Sequence, residues 1–151
     1  QLGSGTFDPI VGLTYNGRRH HWSWGSQAGT TLRLGENSED YTLGNVYKAS
    51  VWAARDLSDA FSASLRIEGR IRENIDGADP DLNTGMVPTA RPDLRGGEQV
   101  DALIGVNFIK PSGKLKDHRL ALEAGIPLHR NLDGPQLEAD YRLMLGWQYA
   151  F

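Results

Sequence analysis

The sequence predicts an all-β fold, namely an antiparallel up-and-down transmembrane β-barrel, or the C-terminal part of one, with about seven long strands. Apolar and polar residues alternate with a period of two in seven segments, and no sustained helical period occurs. Most of these segments are about 10 or more residues long, the length with which a tilted strand crosses a bilayer. The 18 glycines are spread along the chain rather than gathered in one linker.

Composition sets the bounds of this prediction. A chain of 151 residues is the size of one domain, and a net charge of −3 gives no basic bias towards nucleic acid. The absence of Cys excludes disulfide and thiolate chemistry. No apolar run approaches the ~20 residues of a membrane helix. A mean hydropathy of −0.45 is compatible with a transmembrane barrel, because its alternating faces average out.

Seven alternating segments follow one another along the chain. They run over residues 6–15, 22–34, 43–57, 61–72, 100–108, 118–128 and about 136–151. The first places Val11, Leu13 and Tyr15 on one face. The second alternates from Trp22 onwards, and in the third Trp52 interrupts an otherwise polar face. Each of these three segments predicts a strand with one apolar and one polar face.

The four later segments alternate more regularly. The fourth, "FSASLRIEGRIR", sets apolar residues such as Leu65 and Ile67 against charged ones such as Arg66. The fifth and sixth repeat this pattern around Ile104 and Leu122. The seventh contains "DYRLMLGWQYAF", which is apolar or aromatic at every second position. The period of two therefore continues to the last residue of the sequence.

The two faces predict which side meets lipid. The polar faces carry full charges of both signs beside Gly and Ser, which is typical of the hydrated interior of a barrel. The apolar faces have aromatic residues near the strand ends and aliphatic residues between them, which is typical of a lipid-facing wall. The predicted lumen-lining residues are Arg33, Lys48, Arg66, Glu68, Arg70, Arg72, Arg119, Glu123, Glu138, Asp140 and Arg142.

A soluble antiparallel barrel or sandwich is the alternative to a membrane barrel. Its apolar face would form the core and its charged face the surface, and alternation alone does not separate these cases. The charged residues could also pair with one another across strands and simply fill a narrow interior. Strand length and the aromatic residues near strand ends favour lipid.

The connections predict an orientation in the membrane. One connection, from about residue 74 to 98, is much longer than the rest. Bacterial barrels have short periplasmic turns and longer extracellular loops, so this connection is predicted to be extracellular and the location to be a Gram-negative outer membrane. Residues 35–42 and 130–135 share its side, and residues 16–21, 56–59 and 111–117 form the other side.

The final strand resembles the C-terminal signature of bacterial outer-membrane proteins. The matching positions are Tyr141, Leu143, Leu145, Trp147, Tyr149 and Phe151. The resemblance implies that the barrel-assembly machinery binds this strand, and that its apolar face contacts outer-membrane lipid.

A second resemblance covers nearly the whole chain. The segments that carry it are "LGSGTFDPIVGLTYNG", "HWSWGSQAGTTLRLGEN", "YTLGN" and "HRLALEAGIPLHRNLDGPQLEADYRLMLGWQYAF". They resemble the C-terminal half of outer-membrane transporters in the phenol meta-pathway degradation family. The resemblance implies passage of small, often aromatic or hydrophobic, molecules, and it brings no catalytic residues.

The strand count departs from this pattern. Members of that family are longer, and single-chain bacterial barrels have an even number of strands. We therefore expect residues 1–151 to form one β-barrel domain that is the C-terminal half of a larger barrel. The remaining strands would come from the parent chain or from other copies, unless one strand has been miscounted. A structural, self-assembling β module whose free edges pair with other chains is an alternative function.

The sequence predicts no metal, cofactor or enzymatic activity. His20, His21, His118 and His129 lie at strand ends or turns and do not converge as metal ligands would. The acidic residues of 74–83 are ordinary turn residues without the spacing of an EF-hand loop.

An outer-membrane lipid hydrolase is the enzymatic alternative. It would need a Ser or Thr beside a His. The serines Ser26, Ser50, Ser62 and Ser64 lie inside predicted strands, away from the histidines.

Overall fold

The computed structural model describes residues 3–83, 85–86, 88–110, 112–113 and 116–149. It confirms an all-β fold dominated by one antiparallel sheet. The strands are β1 (Ile10–Arg19), β2 (Trp22–Thr31), β3 (Tyr41–Thr42), β4 (Val46–Asp56), β5 (Phe61–Arg72), β6 (Asp76–Gly77), β7 (Gly97–Ile109), β8 (His118–Leu132) and β9 (Arg142–Tyr149). Two short 3₁₀ turns cover Pro88–Ala90 and Pro92–Leu94.

Seven of these strands form an up-and-down sheet in the order β1-β2-β4-β5-β7-β8-β9. Each strand pairs antiparallel with the next one in this order, so the predicted meander is confirmed. Within the described ranges β1 and β9 do not pair with each other, and the sheet is open rather than closed into a barrel. A closed barrel from this chain alone is therefore not what the structure shows.

The strand bounds agree best with the sequence where alternation is cleanest. The fourth predicted segment coincides with β5. The first strand begins at Ile10 instead of residue 6, because Phe7 forms only an isolated bridge with Leu34. The last strand begins at Arg142, so the expected start near residue 136 was wrong.

A β-bulge explains why β8 runs past its predicted end. Val100 pairs with His129 and Asp101 pairs with Pro127, which leaves Leu128 as the extra residue. A bulge shifts the period of two by one residue, so the alternation breaks in the sequence while the strand continues. Beyond it, Arg130 joins the polar face of the sheet through its pairing with Gln99.

The long connection between β5 and β7 has structure of its own. It contributes β6, which pairs with β3 from the connection between β2 and β4. Asn74 closes its base: its side-chain oxygen accepts a hydrogen bond from the backbone of Arg95 at 2.9 Å, and its amide donates to Asp133 at 2.8 Å. The two ends of the connection are thereby held beside the ends of the strands.

Helices contribute little to the described part of the chain. No helix there is long and apolar enough to cross a membrane.

Burial is inverted relative to a water-soluble sheet. Among the described residues only Val46 and Leu103 are buried hydrophobic residues, at 8% and 1% exposure. Large apolar side chains on the opposite face from Leu103 stay open, such as Ile104 at 66% and Leu145 at 78%. The apolar face is therefore the more exposed face of this sheet, and the few buried hydrophobic side chains lie on the polar side.

Candidate functional site: the charged inner face

The polar side of the seven-stranded sheet, here called the inner face, carries charged residues at its centre. Arg66, Glu68, Asp101, Glu123 and Arg142 share this face because they lie in neighbouring rows of directly paired residues. Their side chains are 13% to 37% exposed. The opposite side is called the outer face. The charged side chains are thus more enclosed than the apolar ones, as expected if the sheet curls towards its inner face.

These five side chains form one ion-pair network across β5, β7, β8 and β9. Arg66 pairs with Glu123 and lies 3.7 Å from Glu68, measured from nitrogen to oxygen. Arg142 lies 3.2 Å from Glu68 and 3.8 Å from Asp101. Two guanidinium groups therefore face three carboxylates, so the network binds itself together and has a slight excess of negative charge.

Two large apolar side chains fill the space beside this network. A Cβ atom at Gly25 would overlap the Trp52 ring, so the glycine leaves room for that ring on the neighbouring strand. A Cβ atom at Gly125 would lie 2.8 Å from Cγ of Leu103. The interruption of the polar face by Trp52 thus has a packing role. Leu103 was not singled out from the sequence, where it follows an apolar position on the opposite face.

The end of the inner face next to the long connection is basic. Arg70 and Arg72 of β5, Arg95 of the connection and Arg130 of β8 line a cavity of about 210 Å³. Arg130 pairs with Glu138 at 3.0 Å. Arg95 was missed by the strand-based analysis, because nothing in the local pattern shows that the connection folds back over the sheet.

A fifth arginine at this end, Arg33, is held by an acidic side chain from the segment before β1. Arg33 follows β2 and pairs with Asp8, which also accepts a hydrogen bond from the Thr6 hydroxyl at 2.7 Å. Hydrogen bonds from Ser4 and Thr6, together with the Arg33 guanidinium, lower the pKa of the Asp8 carboxyl from its usual 3.8. Asp8 therefore stays ionised and ties residues 4–8 to Arg33.

The remaining predicted lumen-lining residues are distributed over both ends. Lys48 lies on the inner face, paired with Arg70. Arg119 lies at the short-turn end, where it donates to the side-chain oxygen of Asn107 at 2.9 Å. Glu138 and Asp140 precede β9 and belong to a connection rather than to the strand in which the sequence placed them. Their place in the lining of a lumen stays a prediction.

The outer face carries the residues of the predicted assembly signal. Four of them lie on β9 and are 48% to 78% exposed, and Tyr141 just before the strand is 76% exposed. Phe151 lies outside the described residues. The four are Leu143, Leu145, Trp147 and Tyr149.

Aromatic side chains line the rim of the outer face at the short-turn end. Phe61 and Phe108 contact each other with ring centroids 4.9 Å apart. Trp147 donates from Nε1 to Nδ1 of His118 at 3.0 Å, and Trp22 lies under the guanidinium of Arg55. His118 is therefore part of this rim.

The enzymatic and metal alternatives gain little from the geometry. Within the described part of the chain no hydrogen bond joins a serine to a histidine. The carboxylates of Glu39, Asp79 and Asp81 have oxygens within 4.8 Å of one another. Asp79 accepts the backbone N–H of Asp81 at 2.9 Å, as turn residues commonly do.

Comparison with known proteins returns no relative. No protein-family model matches the chain, and neither a curated protein nor a solved structure matches it. The resemblances described above therefore stay predictions.

Proposed function

We propose that this chain forms part of the wall of an outer-membrane β-barrel that lets small molecules pass and catalyses no reaction. The observation that carries the proposal is the inverted burial of the sheet. Asp101 and Glu123 have side chains 13% and 21% exposed, whereas Leu65 and Ile104 on the other face are 54% and 66% exposed. In water such a face would be costly, because contiguous exposed apolar surface normally marks a contact with protein or membrane.

Strand length supports lipid as the partner of the outer face. The central strands β4, β5, β7 and β8 contain 11, 12, 13 and 15 residues. A tilted transmembrane strand needs ~9–11 residues. These strands are therefore long enough to cross a bilayer, with aromatic side chains such as Trp22, Phe61 and Trp147 at one interface, where amphipathic rings are favoured.

The free edges support completion of the sheet by further strands. The backbone groups on the edge of β1 away from β2, and on the edge of β9 away from β8, have no partner strand among the described residues. Unpaired backbone groups cannot remain in contact with lipid, so a membrane sheet must close. We propose that strands of a longer parent chain, or other copies of this chain, complete the barrel.

The inner face supports a hydrated interior. Its ion pairs and the basic cavity at one end are polar, as in barrels that hold water. Trp52 and Arg66 line one depression of the inner face, and we propose that they narrow the interior of the completed barrel so that only small molecules pass. That the solute is aromatic or hydrophobic rests on the family resemblance alone.

Passage is tested with the full-length protein reconstituted into planar bilayers and liposomes. We expect stepwise ionic conductance and swelling of liposomes in small solutes. Replacing Trp52 by Ala should raise the conductance, because it removes a ring from the interior, whereas Tyr15→Ala on the outer face should leave it unchanged. If the unchanged protein and the Trp52→Ala variant both form a closed, membrane-inserted barrel that conducts nothing, the proposal of passage is contradicted.

A structural, self-assembling module is the second candidate, and the same free edges favour it. Its partners would be further copies of the chain that pair along β1 and β9. The mass of the particle purified in detergent separates the two functions: a defined ring or fibre of many copies without conductance supports assembly, and a conducting closed barrel supports passage.

A further inference from the structure

The basic end of the inner face has more positive than negative charge. Arg70, Arg72, Arg95 and Arg130 reach its cavity from β5, the long connection and β8. The acids that line the same cavity are Glu98 and Glu138. Four arginines and two glutamates therefore line this cavity.

The two glutamates do not neutralise the charge of the four arginines. A carboxylate oxygen of Glu138 lies 3.0 Å from Nη1 of Arg130. A carboxylate oxygen of Glu98 lies 3.3 Å from Nε2 of His129, on the outer face. Within the described residues no carboxylate comes within 4.0 Å of a guanidinium nitrogen of Arg70, Arg72 or Arg95. These three arginines therefore line one cavity without an ion-pair partner among the described residues.

The arginines are close enough to repel each other. The guanidinium groups of Arg70, Arg95 and Arg33 all act electrostatically on that of Arg72, which lies exposed at the end of β5. Arg130 is enclosed, with a side chain 12% exposed and an Nη2 group that has no hydrogen-bond partner. A buried guanidinium N–H without an acceptor is costly, so the arrangement is stabilised when an acceptor enters.

We propose that this cavity binds a small oxyanion, with a carboxylate or phosphate group held between Arg70, Arg95 and Arg130. Guanidinium groups bind such groups through paired N–H donors. A volume of about 210 Å³ suits a compact anion. Because Arg70 and Arg130 lie on the inner face, the anion is a solute of the interior rather than a lipid head group.

This site deepens the proposed function, since it would select anions among the solutes that pass. It lies beside the long connection, and Arg95 makes that connection part of the site. The ion-pair network around Arg66 and Glu68, with its slight excess of negative charge, lies further along the inner face. A solute would therefore meet an attractive basic cavity first and a tightly paired narrow region after it.

Binding is tested by calorimetric titration of inorganic phosphate into the full-length protein in detergent. We expect saturable binding that weakens at least about 10-fold in Arg70→Gln and in Arg95→Gln, because each loses a charged hydrogen bond to the anion. Arg119→Gln is the matched control: it removes the same charge from the inner face at the opposite end, and it should change the dissociation constant less than twofold. No saturable binding, or equal weakening in all three variants, would overturn the site.

Reversal potentials in bilayers separate this inference from the proposed passage. If the barrel conducts, its anion preference should fall in Arg70→Gln and Arg95→Gln but not in Arg119→Gln. Phosphate binding without conductance would uphold the site and overturn passage. Conductance without phosphate binding would uphold passage and overturn the site.

Discussion

Placing a charge on the outer face gives the sharpest test of which side meets lipid. Leu65 lies at the middle of β5, is 54% exposed and pairs with Ala53 and Ile104. In water, Leu65→Arg removes little contact because the side chain is already open, and surface substitutions of this kind change stability by about 0.5 kcal/mol or less. In a bilayer, the same change places a guanidinium near the midplane, at a cost of ~2–4 kcal/mol.

The effect of Leu65→Arg on the folding equilibrium constant therefore differs between water and a bilayer by a factor that is easy to measure. A cost of ~2–4 kcal/mol lowers the folding equilibrium constant roughly 30- to 700-fold, because each 1.4 kcal/mol is tenfold. We would measure reversible guanidinium chloride unfolding of the full-length protein in phospholipid vesicles, followed by tryptophan fluorescence. Leu57→Arg, in the short turn between β4 and β5, is the matched control: its side chain is also exposed, at 63%, but lies outside the strands.

Lipid contact of the outer face predicts a large cost for Leu65→Arg and a small one for Leu57→Arg. If both variants unfold within about 0.5 kcal/mol of the unchanged protein in vesicles, the outer face does not lie in lipid. A covering protein chain would then be the better account of the exposed apolar surface.

Three further predictions concern packing, charge and pH. Gly25→Val should destabilise the protein by about 1–3 kcal/mol in the same unfolding assay, because the valine side chain would overlap the Trp52 ring. Gly69→Ala should cost much less, because the nearest atom to the added Cβ is 4.0 Å away. Equal costs would refute the packing role of Gly25. Arg66→Leu should cost about 1–3 kcal/mol because it leaves the enclosed Glu123 carboxylate without its partner. The double change Arg66→Leu with Glu123→Leu should cost less than the sum of the two single changes, and additive costs would show that the pair does not interact. Because the pKa of Asp8 is lowered from 3.8 in the folded protein, the ionised carboxylate stabilises the fold above pH 3.8, and this contribution is lost as the pH falls through the lower folded pKa. The difference in unfolding free energy between the unchanged protein and Asp8→Asn should therefore be present near about pH 6 and shrink below pH 3.8. A difference that does not depend on pH would contradict this prediction.

The sequence by itself determined the strands and their two faces. Side chains alternate across a strand whatever the strand pairs with, so a period of two is a local property that can be seen in one segment. For this reason β5 agrees with its predicted bounds, and Trp52 was recognised as an exception on the polar face. The predicted and observed strand ends differ where the alternation and the strand pairing do not coincide. This happens at the bulge beside Leu128 and in the connection that contains Glu138.

Only the tertiary structure decided which residues meet on the inner face and how enclosed they are. Arg66 and Glu123 are 57 positions apart, and Glu68 and Arg142 are 74 apart, so their ion pairs depend on the register of several strands at once. Arg95 reaches the basic cavity because Asn74 holds the long connection against the sheet, which no periodic pattern encodes. The assembled sheet encloses the charged side chains of the inner face and leaves the apolar side chains of the other face exposed, which depends on all the paired strands together and not on any one segment.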